Sequence, residues 1–192
     1  MVPDPATRGF LEGKLLIAMP SMPDARFEKS VIYMCAHNED GAMGIIINKV
    51  IEGLELPTLL GKLSVPSHVP LSGLPVLYGG PVRTGQGFVL HTTDYQSREQ
   101  SLYLTGGIAL TATIDILRAI GDGSGPRKFL MALGYAGWGE DQIEAEIKAN
   151  GWLHCDADLE LLFDVPPDDK WRVALARLGA GLSGLSGEAG RA

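Results

Sequence analysis

The sequence predicts one α+β domain. Three observations carry this. The chain has 192 residues, a length that suits one domain better than two. Strand-like runs outnumber helical ones and do not alternate strictly with them, which disfavours a doubly wound parallel sheet. No internal repeat and no linker divides the chain, so residues 10–179 are read as a single folded unit. A domain of this size buries roughly 70% of the surface its unfolded chain exposes, so its core needs neither disulfide nor metal.

The elements follow in order. Residues 1–9 carry two prolines and no periodicity, and read as a mobile lead-in. Lys14 to Met19 is a short apolar run stopped by Pro20. Ser30 to His37 reads as an interior strand. Period-two alternation puts Val31, Tyr33, Cys35 and His37 on one face and Ile32 and Met34 on the other. Asn38 to Gly41 is a turn and Gly44 to Asn48 a β-branched run, which together make a hairpin. Leu56 to Leu63 is Leu-rich and helical, and Ser64 to Gly73 is a proline-punctuated loop. Pro75 to Tyr78 and Gly87 to His91 read as strands joined by the glycine-rich stretch Gly79 to Gln86. Ser101 to Thr105 is a further strand.

Thr111 to Ile120 reads as a helix with Thr111 as its N-cap and Ile114, Leu117 and Ile120 on one stripe. Lys128 to Gly134 is an apolar strand. Gly139 to Asn150 is a helix, with Glu140 and Asp141 complementing its dipole and Glu144 set to pair with Lys148. Leu159 to Val165 reads as a strand ended by Pro166-Pro167. Asp168 to Leu178 is amphipathic, with Trp171, Ala174, Leu175 and Leu178 on one face. Residues 180–192 are rich in glycine and serine and read as a disordered tail.

Composition narrows the function classes. The net charge is −7, and Arg127-Lys128 is the only adjacent basic pair, so the charge argues against direct nucleic-acid binding. Cys35 and Cys155 form no CxxC, and four histidines (His37, His68, His91, His154) show no metal spacing, so no metal or cofactor is expected. The start of the chain lacks a signal peptide's basic and apolar regions, and no apolar run approaches the roughly 20 residues that span a bilayer. The expected compartment is the cytoplasm, without membrane attachment.

Three segments bear chemistry. Cys35 and His37 are read as side chains pointing the same way on one strand. Either they are a buried thiol beside a histidine, or His37 lowers the thiol pKa and makes Cys35 reactive. Gly79-Gly80-Pro81 is either a tight turn or a set of exposed amides that cradle an anion. Gly134 to Trp138 is either packing at a strand-to-helix corner or a pocket wall in which Tyr135 and Trp138 orient a ligand. His37 and His91 both end strands, which would allow them to converge. No GxSxG, HExxH or SxxK is present, and Asp94, Asp115 and Glu144 look isolated.

Taken together, the runs LLIAMPSMPDARFEKSVIYMCAHNEDGAMGIIIN (15–48), YGGPVRTGQGFVLH (78–91) and LGYAGWGEDQIEAEIKANGWL (133–153) resemble the AlgH/YqgE family. The resemblance implies a bifurcated mixed sheet folded into a pseudo-barrel flanked by helices, in a bacterial cytosolic protein. Members are often labelled transcriptional regulators, with no established activity or cofactor. It also brings Asn48, His91 and Glu144 into the candidate site beside Cys35, His37, Gly79, Gly80, Pro81, Tyr135 and Trp138. The chain departs from the family at Lys49-Val50, where a proline is usual, and at Asp141, where a glycine is usual. The favoured reading is a non-enzymatic binding or regulatory module for a small molecule or protein. The alternative is a thiol enzyme or redox sensor using Cys35 with His37. A DNA-binding regulator ranks third. Exposed sheet edges would allow a homodimer.

Overall fold

The computed structural model describes residues 10–97 and 100–179. The expected lead-in and tail lie outside the described residues. Ten strands form one sheet: β1 Lys14–Ala18, β2 Val31–Asn38, β3 Gly41–Ile46, β4 Val50–Glu55, β5 Pro75–Tyr78, β6 Val82–Thr92, β7 Ser101–Leu104, β8 Ile108–Thr111, β9 Phe129–Gly139 and β10 Trp152–Asp156. The helices are α1 Leu56–Lys62, α2 Ile114–Asp122, α3 Gln142–Lys148 and α4 Pro167–Arg177, with a π-helical turn at Glu160–Asp164.

The main path runs β10-β1-β2-β3-β9-β6-β8-β7, all antiparallel, and curls into a half-barrel. The fork lies on β9. One edge of its first half pairs with β6, and the other edge pairs in parallel with β5, Val76 opposite Met131 and Tyr78 opposite Leu133. Beyond Gly134 the second edge passes to β3, with Gly44 opposite Ala136. Gly79 bridges the two branches. Its amide donates to the Leu133 carbonyl at 2.8 Å, and its carbonyl accepts from Ile46 at 2.9 Å. Here the backbones nearly touch. A Cβ on Gly79 would lie 2.2 Å from the Gly134 oxygen, and one on Gly80 (φ +151°) would lie 2.1 Å from the Tyr135 carbonyl carbon. Only glycine fits that crossing.

Three cores result. Leu15, Tyr33, Ile45, Leu77, Leu90 and Leu110 fill the inside of the half-barrel, closed by Leu161, Leu162, Trp171 and Leu175. Val76, Val89 and Met131 on the outer face pack under Leu60 of α1 and Ile116, Leu117 and Ile120 of α2. Leu16, Ile32, Met34 and Ala136 pack with Trp138 and Trp152 under Ile143 of α3. Strand β2 is therefore covered on both sides, as its continuous apolar run foretells.

Several expectations need correction. Thr111 ends strand β8, opposite Val89 and Ser101, and Thr113 is the N-cap of α2. All four β8 residues are buried, so pairing on both edges outweighs the capping preference of Thr111. Leu159 to Val165 is not a strand. Residues Glu160–Asp164 instead form a π-helical turn, which turns the adjacent Leu161 and Leu162 into the half-barrel core beside α4. The Gly134–Trp138 stretch is not a strand-to-helix corner, because β9 runs straight through it. Strands β4, β8 and β10 were not anticipated.

Candidate functional site

The hairpin β2–β3, the fork in β9 and helix α3 gather most of the expected residues. Strand β2 carries a bulge between Met34 and Ala36. A bulge resets the alternation of side chains. Cys35 stays with Val31 and Tyr33 in the half-barrel core, only 1% exposed. His37 instead turns to the opposite side, against Leu11 and Phe10. The two residues read as one pair thus face different cores. The Cys35 thiol points at the Tyr33 carbonyl oxygen at 3.7 Å, and burial pushes its pKa far up. Such a thiol offers no thiolate at neutral pH.

His37 has a fixed tautomer. Its Nδ1 accepts from the Leu11 amide at 3.0 Å, and an amide can only donate. The proton therefore sits on Nε2, which donates to Glu144 Oε1 at 2.7 Å. The ring is 3% exposed and Glu144 42%, so a sealed imidazole ties the chain before β1 to a carboxylate at the surface of α3. The expected Glu144–Lys148 pair is replaced by this contact. Two residues further along α3, Glu146 holds two indoles on one oxygen: Trp138 Nε1 donates at 3.0 Å and Trp152 Nε1 at 2.8 Å. Phe27 stacks on Trp138 and meets Trp152 edge-on. Sequence spacing carried no sign of this role for Glu146.

Tyr135 and Trp138 do line an open groove. It measures about 480 Å³ and is bounded by Ala36, Asn38, Asp40, Gly41, Ala42, Met43, Val82, Tyr135, Gly137 and Trp138. The register explains its floor. Ala36 opposes Met43, Met43 opposes Gly137, and Val82 opposes Tyr135, so these residues share one face. Tyr135 leans on Phe88 edge-on at 5.8 Å, which fixes its ring. Gly79, Gly80 and Pro81 lead into this groove through Val82, but the two glycines are buried in the backbone crossing. The three segments meet, with Cys35 and His37 withdrawn from solvent.

Two other expected residues stand apart. Asn48 Oδ1 accepts from the Val31 amide and its Nδ2 donates to the Lys29 carbonyl, both at 2.8 Å, which holds Lys29 at φ 53°. Asn48 borders a separate charged recess with Lys29, Lys49, Asp168, Trp171 and Arg172. His91 lies on the outer face beneath α1 and α2, and it does not converge with His37. It is fully buried, its Nδ1 is 2.8 Å from the Thr92 carbonyl, and its Nε2 is 2.8 Å from Thr111 Oγ1. Burial lowers its pKa. Lys170 is a further buried polar group missed in the sequence. It donates to the Leu161 and Leu162 carbonyls, and burial lowers its pKa to about 8.

Asp115 is not isolated, since it accepts from Tyr95, Ser97 and Thr113. Among the described residues, no three His, Cys, Asp or Glu side chains come together in a way that could hold a metal ion. No helix among them is long and apolar enough to cross a membrane.

Comparison with known proteins agrees with this architecture. The chain is 51% identical to a UPF0301 protein of Bradyrhizobium diazoefficiens, over 98% of this chain and 91% of that protein. It is 50% identical to a UPF0301 protein of Afipia carboxidovorans, over 95% and 90%. The solution structure of the AlgH protein from Pseudomonas aeruginosa superposes with a TM-score of 0.77 at 43% identity, covering 97% of this chain and 98% of that one. A Corynebacterium diphtheriae protein shares the fold at 18% identity, with a TM-score of 0.70. The family described as AlgH-like matches residues 15–183, and the chain belongs to it.

Proposed function

We propose that the protein is a non-enzymatic binding module whose working face is the open groove around Tyr135. The carrying observation is the lining: a floor of Ala36, Met43, Val82 and Gly137 beside one fixed tyrosine ring, with Asn38 and Asp40 at the rim. Small and apolar residues beside an aromatic anchor suit contact with a partner. The groove is broad and open, which fits an extended protein segment better than an enclosed metabolite. The groups usual in catalysis are arranged otherwise. Cys35 is held as a buried thiol, and His37 is occupied on both nitrogens.

Regulation in this reading runs through a protein partner. The charge of −7 and the dispersed basic residues favour that route over contact with DNA. The cysteines Cys35 and Cys155 are both free, which supports a reducing, cytoplasmic setting.

Selection of peptides from a random display library on the immobilised protein tests the reading. Enriched peptides should shift the backbone NMR signals of Met43, Tyr135 and Gly137. They should bind at least about tenfold more weakly to Gly137→Gln, a loss of about 1.4 kcal/mol. The variant side chain would fill an exposed groove position. Peptides that map elsewhere, or no enrichment at all, would remove the proposal.

A further inference from the structure

A second cavity lies on the outer face, between α1 and α2, away from the groove. We propose that it binds a small, neutral aliphatic molecule ending in one hydrogen-bond donor, the class of a short-chain primary alcohol.

The cavity measures about 200 Å³. An apolar cavity of about 150 Å³ accommodates benzene, so this one has room for a chain of roughly six or seven heavy atoms. Leu59 of α1, Leu63 at the cap that ends it and Leu117 of α2 form its walls. Its floor is a row across three strands, Thr111–Val89–Met131, which the register places on one face. Gly85 and Gly87 add no side chains there. A Cβ on Gly85 would meet nothing within 4 Å, so the space is left open by the sequence. Among the described residues no charged side chain lines the cavity, and an ionised ligand would lose its hydration without a counter-charge from them.

Two threonines line the cavity: Thr113, whose hydroxyl donates to Asp115, and Thr111 on the floor, where the hydrogen positions follow one another. The Thr92 carbonyl can only accept, so His91 Nδ1 carries the proton and donates to it. In the neutral ring Nε2 is then an acceptor, and the Thr111 hydroxyl donates to it at 2.8 Å. With that proton committed, the Ser101 hydroxyl, 2.6 Å away, must donate to Thr111 Oγ1. A hydroxyl oxygen has two lone pairs, and Ser101 takes one. Neither partner takes the other, and Thr111 lines the cavity. Thr111 therefore presents an acceptor and no donor, and it selects a ligand that brings its own proton. Burial lowers the His91 pKa, which keeps the chain of bonds in this direction near neutral pH.

Methyl NMR with 1-hexanol and 1-methoxypentane tests this, because the two have equal heavy atoms and only the first has a donor. In the wild-type protein 1-hexanol should move the Met131 and Leu117 methyl signals saturably and bind roughly tenfold more tightly than the ether. Thr111→Val should bring the two affinities together. Gly85→Leu, which fills the cavity from an open position, should abolish both while the rest of the spectrum stays folded. The absence of saturable shifts in the wild type would overturn the proposal. So would binding that survives Gly85→Leu, or an alcohol preference that survives in a folded Thr111→Val.

Discussion

The two ends of the half-barrel each bury a histidine, and they use it in opposite ways. At the α3 end, His37 carries its proton on Nε2 and donates it in a hydrogen bond to the half-exposed carboxylate of Glu144. At the α1–α2 end, His91 carries its proton on Nδ1, aimed at a backbone carbonyl, and turns Nε2 towards Thr111 on a cavity floor. The first ring fastens segments together beside a groove. The second sets the polarity of a cavity. A histidine at a strand end says nothing of which role it takes, because its two partners decide.

The largest expected effect sharpens the α3 side of this contrast. Glu146→Ala leaves the Trp138 and Trp152 indole N–H groups without their shared acceptor, and should cost about 3 kcal/mol in urea unfolding. A loss near zero would show that α3 is not held through this carboxylate.

Lys170, buried in the half-barrel core, gives a scale for both ends. Its folded pKa is about 8, against 10.5 for the free group. Between those values the unfolded chain keeps a proton that the folded chain releases, so stability rises with pH. From pH 8 to 10 the gain from this group should be on the order of 2 kcal/mol. It is read as the difference in pH slope between the wild type and Lys170→Met. Equal slopes would place the ammonium in solvent.

His91→Leu should cost about 2 kcal/mol, since Thr111 and the Thr92 carbonyl lose their partner. Its pH signature has the same sign. The folded pKa is lowered, so as pH falls below about 6.5 the unfolded chain takes up a proton that the folded chain resists, and wild-type stability drops. The variant should lose that part of the acid sensitivity. The smallest effect is at Glu144. Glu144→Gln keeps an oxygen for His37 Nε2 at a half-exposed position, and should cost less than about 1 kcal/mol. A larger loss would mean that the charge itself holds the latch.

Much of the fold was legible because its signals are local. The covered strand at Ser30 to His37, the turn at Asn38 to Gly41 and the amphipathic helix at Asp168 to Leu178 each follow from a short pattern. The paired glycines at Gly79 and Gly80 also announced a close approach, and the partner backbone is Gly134–Tyr135. What failed depended on distant pairing. Thr111 looks like a cap until β6 and β7 take it into the sheet. The Cys35–His37 alternation is undone by a bulge set against β3. The sequence left packing and a pocket wall both open for Tyr135 and Trp138; both border the groove, and Trp138 is also packed into the core under α3. Glu146 and Lys170 were not legible, since their partners come from other elements.

Alkylation of the two thiols in the native protein tests most directly whether Cys35 and His37 are framework and the exposed groove is the working surface. Iodoacetamide at neutral pH should modify half-buried Cys155 first, and Cys35 only as fast as the whole protein unfolds. Modification of Cys35 in the folded protein at or above the rate of Cys155, quickening through a thiol pKa near neutrality, would contradict this and return the chemistry to Cys35.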